Sequence, residues 1–249
     1  MSEAQNSTRD TVAFILPLFV FLVIGSFYPD FAQFSDTDDP DNAPLFSSAT
    51  RIYVGMVGIQ VIIASGLILY FHRVYLRHFP LKVSPWSVVV GVVGIVLWIG
   101  VCELHIEKEF FGAIGLKSLV ANRPAFNPFE SIADNGFRSL FLALRFALLA
   151  ILVPIIEELF LRGWLVRWIN DPDWETVSLK TLSWTALLTP SCYGVMTHPS
   201  EAIAAFLWFG LVTVLMRYTG NLWDCIVAHA VTNLLLGIYV IQYSAWELW

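Results

Sequence analysis

The apolar residues of this chain fall into seven long runs, at about 11–28, 52–71, 86–103, 138–168, 182–198, 202–218 and 222–243. A bilayer core is about 30 Å thick and takes about 20 apolar residues per helix, so runs of this size are membrane spans. The expected fold class is therefore all-α: a polytopic helical membrane bundle of about seven transmembrane helices. Composition agrees, with 57% hydrophobic and only 14% charged residues, against about 45–50% and about 25% in soluble domains.

Residues 1–136 hold the first three helices and an outer connecting segment. Residues 137–249 hold the remaining helices, and the whole reads as one membrane domain. The fourth run is too long for a simple crossing, so its first turns after Asn127-Pro128-Phe129 are expected at or beyond the interface. Pro154 is a potential kink within it. Much of the net charge of −6 comes from one acidic loop, 36–41, which lacks the glycine and glutamate of a calcium-binding loop. No basic arm suggests nucleic acid. Cys102, Cys192 and Cys225 are widely spaced and read as packing residues.

Arg73, Arg77, Lys82, Arg167, Lys180 and Arg217 fall in loops or helix ends on one side, which places the N-terminus inside and the C-terminus outside. Lys108, Lys117 and Arg123 lie on the other side and weaken the asymmetry. His72, His78 and His105 sit at or just beyond helix ends, where interfacial packing is the default reading.

The fourth run carries Glu157 and Glu158 side by side, with Arg162 as the other charge between Leu148 and Leu165. A charge deep in lipid costs at least ~2.5–3.5 kcal/mol, so an adjacent pair needs a reason. Residues i and i+4 share a helix face, so Glu158 meets Arg162 and forms a structural ion pair. Glu157 points about 100° away and lacks that partner, which leaves its carboxylate available as a general base on water. His229 and Asn233 are also i and i+4, and two N–H donors converging on one spot can stabilise an oxyanion. His198, just before Pro199, could orient or help deprotonate the same water.

Depths are compatible at 1.5 Å per residue. Glu157 lies about 18 Å in from Ile169, Asn233 about 17 Å from Leu222 and His198 about 21 Å from Trp184.

Glu157-Glu158-x-x-x-Arg162, then His198, then His229-x-x-x-Asn233 resembles the motif set of the CPBP family of intramembrane endopeptidases, over about residues 138–243. That family includes type II CAAX prenyl endopeptidases and bacteriocin-processing or bacteriocin-immunity proteins. The ending from Cys225 to Val240 further resembles a bacterial CAAX prenyl protease-related subgroup that accompanies exosortase systems. The resemblance implies an integral-membrane endopeptidase acting on a membrane-associated protein or peptide, in a bacterial cytoplasmic membrane. It makes Glu157 and His198 the water activators and His229 and Asn233 the oxyanion donors, supported by Glu158 and Arg162. One position departs from the pattern. The family usually has Phe four residues before its middle histidine, where this chain has Gly194, with Tyr193 adjacent. Either the aromatic has shifted by one position or the pocket floor is more open.

The family has long been called metalloproteases. Glu157, His198 and His229 could supply a zinc set with an open fourth position. The oxyanion role needs His229 free of metal, so the expected chemistry is metal-independent hydrolysis with no cofactor. The alternative from another class is a non-catalytic membrane scaffold or sequestering protein using the same polar cavity.

Overall fold

The structure, a computed structural model, describes residues 3–29, 48–115 and 125–248. The acidic loop 36–41, Lys117 and Arg123 lie outside the described residues. The longer helices among the described residues are α1 Glu3–Gly25, α2 Ser48–His78, α3 Pro85–Glu103, α4 Ile106–Ala113, α5 Asn135–Asn170, α6 Trp184–Thr197, α7 Ala202–Thr219 and α8 Leu222–Tyr243. The described residues contain no strand.

Helix ends follow local chemistry. Asp134 caps α5 by accepting from the Phe137 N–H at 2.7 Å, and Asn221 caps α8 through the Trp223 N–H at 3.1 Å. Pro85 opens α3, where its missing N–H costs nothing. Asp224, in the first turn of α8, accepts from the Ser84 N–H (2.7 Å) and Oγ (3.0 Å). That contact joins the starts of α3 and α8, so the two helices run parallel. They approach closely because Gly91 and Gly94 face the partner: a Cβ on Gly91 would stand 2.7 Å from Val231 Cβ, and one on Gly94 3.0 Å from Thr232 Oγ1.

The start of α1, the end of α2, the starts of α3, α6 and α8, and the ends of α5 and α7 gather at one end of the bundle. Asn221 bonds the Lys82 carbonyl there, Trp223 the Phe79 carbonyl, Arg217 the Leu182 carbonyl and Arg167 the Val177 carbonyl. This basic end also carries Arg77 on Asp10. At the opposite end, the Tyr239 hydroxyl donates to Glu103 at 2.9 Å and Trp246 packs on Phe129 at 5.6 Å.

Among the described residues, six helices are long and apolar enough to cross a membrane. The run 182–198 does form a helix along the same direction, but α6 has only 14 residues, about 21 Å of rise against a core of about 30 Å. Ser183 caps its start and Pro199 disfavours helical geometry at His198, so its length is set locally.

Within α5, two stretches wind with i→i+5 bonding, Leu148–Leu152 and Leu159–Leu165. The regular segment between them, Val153–Glu158, carries both glutamates. Pro154 is absorbed by the first stretch. The Val153 N–H bonds the Leu148 carbonyl, and the next bond in that register would require an N–H that Pro154 lacks. The Leu149 carbonyl is thereby released, and Asn233 Nδ2 donates to it at 2.8 Å. Such local windings recur at functional sites.

Candidate active site

Glu158 and Arg162 are fully buried, with Arg162 Nη1 donating to Glu158 Oε2 at 2.5 Å. The guanidinium continues into α7, where Nη2 donates to the Phe209 carbonyl (2.9 Å) and to Thr213 Oγ1 (3.2 Å). The other carboxylate oxygen of Glu158 meets His229 Nδ1 at 3.1 Å. Glu158 thus holds both an arginine on its own helix and a histidine from α8.

His229 stands between the two glutamates, its Nε2 facing Glu157 Oε2 at 3.9 Å. With Nδ1 turned to Glu158, Nε2 is the ring nitrogen presented toward Glu157. Trp208 packs edge-on against the ring at 4.6 Å and holds its plane. Asn233, one turn on, has one amide N–H committed to the Leu149 carbonyl. Its second N–H is therefore fixed in direction.

His198 closes α6. Its Nδ1 lies 3.2 Å from the Gly194 carbonyl and 2.9 Å from Thr197 Oγ1, and Trp98 packs edge-on at 5.4 Å. With the proton on Nδ1, Nε2 is left as an acceptor. Glu157, His198, His229 and Asn233 line one cavity of about 300 Å³, walled by Trp98 and Trp208. Its other polar lining includes Ser200, Glu201 and Glu247, all at the end of the bundle opposite the basic end.

Tyr193 and Phe209 are functional neighbours that motif spacing does not reveal. The Tyr193 hydroxyl donates to Glu157 Oε1 at 3.2 Å. Its ring is held by Phe160 at 6.4 Å and Phe209 at 5.7 Å. A Cβ on Gly194 would stand 2.3 Å from Phe209 Cδ2, so the space beside residue 194 is filled by a ring from α7. The floor is not left open: the aromatic comes from another helix. Gly194 was the one sequence signal that pointed here.

Two predictions follow from this corner. Tyr193→Phe keeps the ring packing and removes one donor, so the melting temperature should hold while turnover of any cleaved substrate falls about tenfold. An unchanged rate would mean that the hydroxyl does not position Glu157. Gly194→Ala should destabilise by about 1–3 kcal/mol through overpacking against Phe209. Adding Phe209→Leu should return part of that loss in a thermal melt, and no return would place the strain elsewhere.

Glu157, His198 and His229 share the cavity, but among the described residues the His, Cys, Asp and Glu groups gathered within 4.8 Å of one another are Asp10, His78 and Glu175. The cavity trio does not meet that spacing as it stands.

Residues 139–235 match the family model described as type II CAAX prenyl endopeptidase Rce1-like. No curated protein and no solved structure matches the chain. With that match and its long apolar helices, the chain is an integral membrane protein. The match spans Glu157, Glu158, Arg162, His198, His229 and Asn233, so the region that holds the cavity is similar to the type II CAAX prenyl endopeptidases.

Proposed function

We propose that this protein is an intramembrane endopeptidase that hydrolyses a peptide bond of a membrane-associated protein or peptide. The observation that carries the reading is the placement of one glutamate outside the ion pair. Glu158 is committed to Arg162 and His229, whereas Glu157 faces the cavity with the Tyr193 hydroxyl on it and His229 Nε2 at 3.9 Å. Glu157 takes a proton from a water that His198 Nε2 helps to hold. The resulting hydroxide attacks the scissile carbonyl, and the oxyanion receives Nε2–H of His229 and the second N–H of Asn233. The proton held by Glu157 then passes to the leaving amine. General-base catalysis contributes about 10²–10⁴-fold, and one oxyanion donor about 10²–10³-fold.

The orientation proposed is N-terminus inside and C-terminus outside, in a bacterial cytoplasmic membrane. The loops with Arg77, Lys82 and Lys180 then face the cytoplasm, and the cavity rim at Glu201 and Glu247 opens on the outer face. A cysteine placed at Glu247 should accordingly react with a membrane-impermeant maleimide added to intact cells. Labelling only after lysis would reverse the orientation.

The direct test incubates detergent-solubilised protein with membrane proteins of its own cell and maps new C-termini. New C-termini that appear with the wild type and not with Glu157→Gln support proteolysis. Termini identical in the two samples, together with retained biological function in the variant, favour a scaffold that uses the same cavity.

A further inference from the structure

At the basic end, far along α5 from the glutamates, three side chains from separate parts of the chain converge. Asp10 comes from α1, His78 is the last residue of α2, and Glu175 lies in the turn Trp174–Thr176 that follows α5. One ligand atom from each lies within 4.8 Å of the other two. Asp10 is 3% exposed, and its Oδ2 is 2.7 Å from His78 Nε2 and also accepts from Arg77 Nη2. Glu175 Oε1 is buried and has no hydrogen-bond partner. Buried polar atoms are nearly always satisfied, and although the Arg167 guanidinium acts on the charge of Glu175, this oxygen has no bond and faces a carboxylate and an imidazole, a set that a bound cation would satisfy. The imidazole is already oriented, stacked on Trp174 at 5.2 Å and set edge-on to Phe14 at 5.6 Å.

We propose that Asp10, His78 and Glu175 bind one divalent ion of the zinc class, separate from the catalytic cavity. One imidazole nitrogen and two carboxylate oxygens suit such an ion, with water in the fourth position. Binding replaces the His78–Asp10 hydrogen bond: the imidazole ligates as its neutral tautomer, with its proton on Nδ1 and the Nε2 lone pair on the metal. Arg77, whose side chain is 57% exposed, leaves Asp10 for water. His78 also lines a polar pocket with Lys82, Ser84, Arg167 and Asp224. Once bound, the ion ties α1, α2 and the segment after α5 together. Those three elements frame the base of the helix that carries Glu157 and Glu158, so the site is a staple rather than a second reaction centre.

The test uses untagged full-length protein, stripped with chelator and reconstituted in lipid, then titrated with Zn²⁺. One zinc per chain should survive gel filtration, and the melting temperature should rise by about 3–6 °C at saturation. His78→Gln and Glu175→Gln should each lose the zinc and the thermal gain. Glu157→Gln should keep both, and Arg77→Gln should bind several-fold more tightly because the competing guanidinium is gone. No retained zinc in the wild type, or full retention in Glu175→Gln, would overturn the proposal. Zinc lost from Glu157→Gln and kept by His78→Gln would also overturn it, by assigning the ion to the cavity. None of these readings depends on proteolysis.

Discussion

Glu157→Gln should lower cleavage by about 10³-fold or more while the protein accumulates and melts as the wild type does. The two halves of that expectation have different physical origins. The change is nearly isosteric, and Glu157 has no arginine partner: its contacts are the Tyr193 hydroxyl at 3.2 Å and, at the long end of ion-pair range, His229 Nε2 at 3.9 Å. A glutamine carbonyl can accept from Tyr193 as the carboxylate does, so packing around Phe160 and Phe209 has no reason to move. What disappears is the one cavity-lining carboxylate held between His229 and Tyr193 that can take a proton from water. Cleavage rates and thermal melts on the same preparation decide the point. A variant that still cleaves at more than a tenth of the wild-type rate would remove Glu157 from the role of base. A variant that fails to fold would mean that Glu157 supports structure, and Glu157→Asp, which keeps the charge but retracts it, would then separate position from stability.

The pairing of Glu158 with Arg162 was legible in the sequence because i and i+4 share a helix face. The same rule put His229 and Asn233 on one side of α8. Apolar run length gave the helical bundle, and the depth arithmetic is consistent with the single cavity that four of these residues line. Other features were not legible, each for a definite reason. His229 lies between the two glutamates because α5 and α8 pack there, a long-range fact that no local spacing encodes. Asn233 holds the Leu149 carbonyl because Pro154 withdraws an N–H from the i→i+5 register. Reading that from sequence would require knowing the winding first. The ring beside Gly194 comes from Phe209 on α7, so a search along α6 for the displaced aromatic stops at Tyr193. The run 182–198 was read as a span by hydropathy, whereas the Ser183 cap and Pro199 limit α6 to 14 residues.

Glu158→Ala should act mainly on stability, with a loss of about 3–5 kcal/mol, the usual cost of leaving one partner of a buried ion pair alone. Arg162 is 0% exposed and would keep its charge with only the Phe209 carbonyl and Thr213 Oγ1 for company. Against a total stability of about 5–15 kcal/mol, that loss is enough to reduce yield and lower the melting temperature sharply. Glu158 also fixes His229 through Nδ1, so the protein that does fold should turn over more slowly. Glu158 and Glu157 therefore differ in kind: one change removes the fold's internal counter-charge, the other removes only the reacting group. Glu158→Leu combined with Arg162→Met should recover much of the stability, since it withdraws both charges together and refills their volume with apolar atoms. Thr213 Oγ1 already donates to the Phe209 carbonyl at 2.8 Å, so that acceptor keeps a partner when the guanidinium goes. Activity should not return in the double variant, because His229 still lacks the carboxylate that orients it. Equal destabilisation by Glu157→Ala and Glu158→Ala, with no recovery in the double variant, would show that the ion pair is not what distinguishes the two glutamates.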